Sequence, residues 1–316
     1  MSVRSLSFQI AKHEKVKYWN FIANFIFALF IVIGVINFDG ARAQLLCSNY
    51  TNADGDITFI DGSHAQQKAC NLTPESMTIN LHFIGLCTAE PTIANFRTAC
   101  SSIFTSNTGE SKTITTTTSA NLMNDVTLTE GSYTHAAILI KNNIGYTAKK
   151  KFSPARSGKT GTGEWCWTLD GETTTVNHDF AGRSTWIAEC GAAAPATIGT
   201  HTSNQNAIWS EASGGRVDNY ETGTTASTSW TVYLLKADET INTGTPGNYG
   251  SFGTASYFLG IQRFNTAVSI TPKTSNLDVG FRLEDTFSVE TKLNAGTQYI
   301  PRFGLGGFEF KVLASE

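Results

Sequence analysis

Six cysteines, Cys47, Cys70, Cys87, Cys100, Cys166 and Cys190, constrain this 316-residue chain more than any other feature. They follow a segment with the pattern of an export signal. Arg4, Lys12, Lys15 and Lys17 precede the apolar run Phe21–Phe38, and the small-x-small triplet Ala41-Arg42-Ala43 comes next. That order marks a secretory signal peptide, here residues 1–43 with cleavage before Gln44. The run is also just long enough for an uncleaved anchor, although Asn24, Gly34 and Asn37 weaken it. An exported chain meets oxidising conditions, where an even cysteine count implies a disulfide framework. Six cysteines leave fifteen pairings open. Nearest-neighbour pairing (47–70, 87–100, 166–190) would close three short loops, each contributing roughly 3 kcal/mol through loop entropy. Zinc is disfavoured, because no C-x-x-C or Cys/His spacing of a metal site is present.

Between the cysteines the apolar residues recur with a period of two. Met77, Ile79, Leu81 and Phe83 alternate with Thr78, Asn80 and His82, the mark of a half-buried strand. Ile84-Gly85-Leu86 breaks the alternation and predicts a bulge. Ile93, Phe96 and Cys100 share one helical face and predict a short helix. Ala136–Ile140 is unbroken apolar and fits a strand covered on both faces. Asn142-Asn143 predicts a turn, with Ile144, Tyr146 and Ala148 as the returning strand of a hairpin. Asp170-Gly171 lies between Trp165–Leu169 and Thr173–Val176, a strong hairpin signal. In that hairpin Trp165 or Trp167 is expected in the core, with Cys166–Cys190 closing the loop. Trp230–Leu235, Tyr257–Ile261, Ala267–Thr271, Asp278–Leu283, Phe287–Thr291 and Phe308–Val312 predict further strands at short spacing. The fold class is therefore all-β, an antiparallel β-sandwich of jelly-roll or Ig-like type, braced by disulfides. Residues 44–316 are expected to form it, with a split into 44–190 and 205–316 as the alternative, since only the first part carries cysteines.

Charge excludes one class of partner. Without residues 1–43 the chain keeps 18 Lys+Arg against 24 Asp+Glu, a net charge near −6. Such a balance offers no electrostatic footprint for nucleic acid.

Several stretches are candidates for chemistry. Asn52-Ala-Asp54-Gly55-Asp56-Ile57-Thr-Phe-Ile-Asp61 resembles the calcium loop of the EF-hand and dockerin type, with Asn52, Asp54, Asp56 and Asp61 as candidate ligands. Tyr50 stands at the first ligand position and Asp61 replaces the bidentate Glu, so an Asx-type turn is the plainer reading. Ser153-Pro-Ala-Arg-Ser-Gly-Lys-Thr160 nearly matches the phosphate loop G-x-x-x-x-G-K-T, but Gly161-Thr-Gly-Glu does not start the helix that such a loop needs. His64, His82, His135, His178 and His201 stand singly. There is no H-E-x-x-H and no G-x-S-x-G, and His178-Asp179 is the least implausible start of a triad. Trp165, Trp167, Trp186, Trp209 and Trp230 suit a sugar-stacking platform or plain packing. Asn49-Tyr-Thr51 and Asn71-Leu-Thr73 match the N-glycosylation pattern. No cofactor motif is present.

These features predict an exported, non-catalytic structural or adhesive protein, secreted or at the cell surface. Self-association through an edge strand, Phe308–Val312, is the expected partner mode. A carbohydrate-binding module or secreted glycan-active enzyme is the alternative. An outer-membrane β-barrel is the lesser one, because the continuous apolar runs suit a packed core better than a polar lumen.

Overall fold

The computed structural model describes residues 46–58, 69–115, 129–171, 173–176, 188–210, 216–224, 228–274, 276–294, 296–305 and 309–315. The export-type segment, Asp61, His64, His178 and Trp186 lie outside them. In chain order, a 3-10 turn at Cys47–Tyr50 precedes β1 (Ala69–Leu72) and β2 (Ser76–Cys87). A short helix, α1 (Phe96–Ala99), runs into β3 (Cys100–Thr115). Then come β4 (Gly131–Lys141), β5 (Ile144–Thr147), β6 (Lys149–Ser157), β7 (Thr162–Thr168), β8 (Thr173–Val176) and β9 (Ala188–Gly191). β10 (His201–Gln205), β11 (Ile208–Ser210), β12 (Arg216–Asp218), β13 (Tyr220–Thr224) and β14 (Thr228–Leu235) follow. The last strands are β15 (Tyr257–Ile270), β16 (Asn276–Arg282), β17 (Phe287–Asn294), β18 (Thr297–Leu305) and β19 (Glu309–Ser315).

Two large sheets result, as the alternating apolar pattern requires. One has six strands in the order β1-β17-β18-β6-β7-β9. The other has nine, β13-β14-β15-β4-β2-β5-β10-β8, with β3 along the remaining side of β2. The described pairings are antiparallel except β8 with β10 and β6 with β18. Both sheets contain strands from before residue 190 and from after residue 205. Two small ladders, β11–β12 and β16–β19, complete the architecture.

The sheets share one core. Met77, Ile79, Leu81, Ile138 and Ile140 of the larger sheet meet Phe152, Cys166, Phe287, Val289 and Ile300 of the smaller. A second cluster lies on the opposite face of the larger sheet, formed by Phe83, Ala137, Leu139, Leu259 and Ile261 under Phe96. β4 is thus buried on both faces, which accounts for the unbroken run Ala136–Ile140. The ladder of β2 with β3 shifts register at Ile84/Gly85, at the predicted bulge, and again between Leu81 and Phe83. β15 joins two predicted strands into one, with a register shift between Arg263 and Val268.

All six cysteines pair, 47–70, 87–100 and 166–190. Cys87 faces Cys100 across β2–β3, and Cys166 faces Cys190 across β7–β9. Each bridge contributes roughly 3 kcal/mol on the loop-entropy account. Three closed disulfides are the usage of a chain that matures under oxidising conditions.

Three local expectations are corrected. β4 and β5 do not form a hairpin around Asn142-Asn143. Both run antiparallel to β2, β4 against Leu81–Cys87 and β5 against Ser76–Thr78. From Ile140 to Gly145 the pass advances five residues while β2 advances three, Leu81 to Thr78. The two extra residues form a bulge rather than a reversal. The Asp170-Gly171 hairpin is also absent. Gly171 does turn with φ 72°, yet β7 lies in the six-stranded sheet and β8 in the nine-stranded one. The reason is a competitor for the edge. β6 and β9 hold the two edges of β7, and beyond them Gly199 N–H donates to Thr168 O at 3.1 Å and Thr200 N–H donates to Asp170 Oδ1 at 2.6 Å, so no edge is left for a returning strand. Finally, the two tryptophans of β7 are not in the core. Cys166 is fully buried and takes the core face, so the period of two leaves Trp165 and Trp167 half-buried on the outer face.

Candidate functional site

The calcium-like loop folds as a closed turn. Asn52 Oδ1 accepts from the N–H groups of Asp54 (3.0 Å) and Asp56 (2.9 Å), and Gly55 N–H donates to Asn52 O at 3.0 Å. Gly55 has φ 78°, as the tight turn needs. Asp56 is buried and pairs with Lys151 Nζ at 3.0 Å, while Asp54 is exposed. The oxygens of Asn52 and Asp56 therefore already hold protein groups, and the Lys151 ammonium stands where a cation would compete. Among the described residues no group of three or more His, Cys, Asp or Glu side chains is placed to hold a metal.

The phosphate-loop-like stretch does gather backbone N–H groups around an anion, and the anion is the protein's own. Its first part belongs to β6, and Gly158-Lys159-Thr160-Gly161 forms the turn into β7. The turn closes on the backbone of β9. A Cβ on Gly158 would meet Cys190 N, and one on Gly161 would meet Cys190 O. This close approach, rather than a bound phosphate, is what the glycines serve. Glu189 fills the turn. Its carboxylate accepts from Thr160 N–H (3.0 Å), Thr160 Oγ1 (2.6 Å), Gly161 N–H (2.7 Å) and Cys190 N–H (2.9 Å). Arg156 of the same stretch is fully buried, 5.5 Å over the Phe152 ring, and burial lowers its pKa to about 10.

Burial alone would raise the Glu189 carboxyl. The bonds from Thr160 Oγ1 and from the Cys190, Gly161 and Thr160 N–H groups outweigh it and hold the pKa below the ordinary value. A carboxyl lowered on folding contributes stability above its unfolded pKa, about 4.3, and that contribution disappears as the pH falls through the lower folded value. Glu189→Gln is therefore expected to destabilise the chain at neutral pH by about 0.5–1.5 kcal/mol, since the carboxylate is partly exposed and screened by solvent. The difference from wild type should shrink below about pH 4. Urea unfolding at several pH values measures both, and a difference that stays constant with pH removes the charged-acceptor role.

Three of the candidate histidines are described, and each is buried. His82 is buried edge-on to Tyr257 at 5.0 Å, and burial, then Lys141 and Arg97, lower its pKa. His135 is buried beside Thr134 Oγ1 (2.8 Å), with its pKa lowered mainly by burial. His201 is fully buried at the start of β10. Of the described tryptophans, Trp165 and Trp167 lie on β7 in the smaller sheet and Trp230 on β14 in the larger, so these three do not form one platform. Of the two glycosylation patterns, Asn49 is exposed in the 3-10 turn, while Asn71 is half-buried in β1.

Sequence reasoning missed the polar groups that matter most to the fold. Arg97 Nε and Nη2 donate to both oxygens of Glu239 (2.8 and 2.6 Å), and the guanidinium lies 5.3 Å over Phe83 and Phe96. That clamp ties α1 to the β14–β15 connection, 142 residues away, so no local pattern could reveal it. Asn142, Asn242 and Gln262 are buried amides bonded to distant backbone. A buried amide in an otherwise apolar run was the available signal, and Lys141-Asn142-Asn143 reads instead as a turn. Comparison of the chain with protein-family models, curated proteins and solved structures returns no match.

Proposed function

We propose that this chain is an exported, non-catalytic structural or adhesive protein of the extracellular or cell-surface space, one that associates with copies of itself. We read its two sheets as a sandwich built to carry load rather than to enclose a substrate. One observation carries the reading. Among the described residues, Asn52 and Asp56 of the first candidate loop and Glu189 in the phosphate-like turn are engaged in holding the chain. The three disulfides support the compartment. Among the described residues no helix is long and apolar enough to cross a membrane. The test is location and assembly together. Export of the full chain should make it accessible to added protease on intact cells, and electron microscopy of the purified protein should show ordered assemblies. A chain retained inside the cell overturns the reading.

The outer face of β7 favours glycan binding as a second reading. Trp165 and Trp167 are half-buried there, and among the described residues neither indole N–H has a hydrogen-bond partner. Aromatic faces of this kind stack against sugar rings. Binding on a glycan array that is abolished by Trp165→Ala and Trp167→Ala would establish it, and an array without signal removes it.

A further inference from the structure

Among the described strands, β3 presents the longest edge without a paired neighbour. The β9 edge is capped by the β6–β7 turn, where Lys159 N–H donates to Ala188 O at 2.8 Å. β1 is joined by Leu46 through a bridge to Asn71. β13 and β8 are short, five and four residues. β19 pairs with β16, and at Phe310 its other side is held by Gln262. β3 runs for 16 residues, and over Cys100–Ile114 it pairs with β2 alone among the described strands. A long unpaired edge is a template for another strand unless it is blunted. Here the blunting is partial. The register against β2 shifts between Thr105 and Glu110, and a charged pair, Glu110 and Lys112, follows the shift.

That pair is self-complementary. Glu110 and Lys112 are two positions apart, so they share one face of the strand, and they are ion-paired within the chain with side chains 44% and 21% exposed. An antiparallel copy of β3 placed about a twofold axis through Ser111 sets Glu110 opposite Lys112 of the second copy, and Lys112 opposite its Glu110. Opposite charges across an antiparallel rung are favourable and like charges are unfavourable. A register displaced by one residue loses both pairs, so the charges select the alignment as well as the partner. A twofold contact of this kind uses the same patch on both subunits.

We propose that the Glu110–Lys112 stretch of β3 is the surface through which two copies of this chain associate, antiparallel about Ser111. This rests on the self-associating reading above and names its interface, in place of the strand Phe308–Val312. The association is salt-sensitive, because the selecting charges are partly exposed.

The full chain, produced for export and purified with its disulfides intact, is compared by sedimentation velocity over a range of concentrations. Wild type is expected to self-associate, and less so at high salt. Glu110→Lys alone and Lys112→Glu alone each place like charges on both rungs and should weaken association by about tenfold or more. Mixing the two single variants restores opposite charges on both rungs, because one chain then carries two lysines and the other two glutamates. The mixture should therefore associate about as well as wild type. Glu110→Lys with Lys112→Glu in one chain should do the same. Rescue in the mixture cannot come from refolding, since each chain keeps its own altered charge. A wild type that stays monomeric overturns the self-associating reading and this interface with it. Association that ignores the single changes, or a mixture no better than its components, overturns the β3 interface and leaves the broader reading standing.

Discussion

Replacing Asn142 by alanine is expected to lower stability by about 3–5 kcal/mol, and the melting temperature by about 10 °C. Asn142 lies where the larger sheet divides. β4 continues to β15 on one side of the bulge, and β5 continues to β10 on the other. The buried side chain bridges the two branches. Its Nδ2 donates to Gln205 O at 2.6 Å and Ala255 O at 2.9 Å, and its Oδ1 accepts from Gln205 N–H at 2.8 Å. Its own N–H donates to Ser256 O at 2.8 Å. Alanine leaves three backbone groups without their partner, Ala255 O buried and the Gln205 N–H and O half-buried, each costing up to about 1–3 kcal/mol less whatever solvent recovers. Asn142→Asp separates size from chemistry. It keeps the acceptor for Gln205 N–H but turns an oxygen toward two carbonyl oxygens, so it should be at least as damaging as alanine. Thermal and urea unfolding of both variants measure this. An alanine variant within about 1 kcal/mol of wild type would show that backbone pairing alone holds the division.

Gln262→Leu is expected to cost about 2–4 kcal/mol and to release the C-terminal ladder. Gln262 is buried on β15 and acts as a surrogate rung. Its Nε2 donates to Phe310 O at 2.6 Å, and its Oε1 accepts from Phe310 N–H at 3.0 Å. Phe310 is itself buried, 5.5 Å from the Phe281 ring within the ladder, and Leu277 and Val279 join both rings in the main core, so the amide adds a polar tie to an apolar docking. Leucine fills the space but leaves both groups of Phe310 buried and unpaired, the costly half of the exchange. Limited proteolysis should then cut within residues 276–315 under conditions where wild type resists. Gln262→Glu makes the sign testable against pH. A carboxyl buried here would titrate above its usual range, so its damage should increase as the pH rises. Wild-type resistance to proteolysis in both variants would place the docking in the apolar core contacts instead.

Much of the strand content was legible in the sequence, because one-sided burial writes a period of two. Met77–Phe83 shows it directly, and the continuous run Ala136–Ile140 correctly announced a strand covered on both faces. The bulge near Gly85 and the short helix before Cys100 were legible for the same local reasons. The candidate loops were less so. Asn52–Asp61 carries the residue types of a cation loop, yet whether an oxygen faces a metal, a lysine or a backbone N–H depends on what arrives from elsewhere. Here Lys151 and the N–H groups of Asp54 and Asp56 arrived. The same holds for Ser153–Thr160, where the anion that the turn receives is Glu189, close in space but remote in sequence.

Sequence by itself determined an all-β chain, six cysteines suited to three bridges, and the positions of most strands, since alternation, turn residues and cysteine count are local properties. Only the tertiary structure decided which strands pair, that Asp170-Gly171 crosses between sheets, that Asn142 divides one sheet rather than closing a hairpin, and that β3 keeps an open edge among the described strands. Those outcomes depend on competition for a limited number of strand edges and on the pairing of buried polar groups, and both are settled between residues tens to hundreds of positions apart.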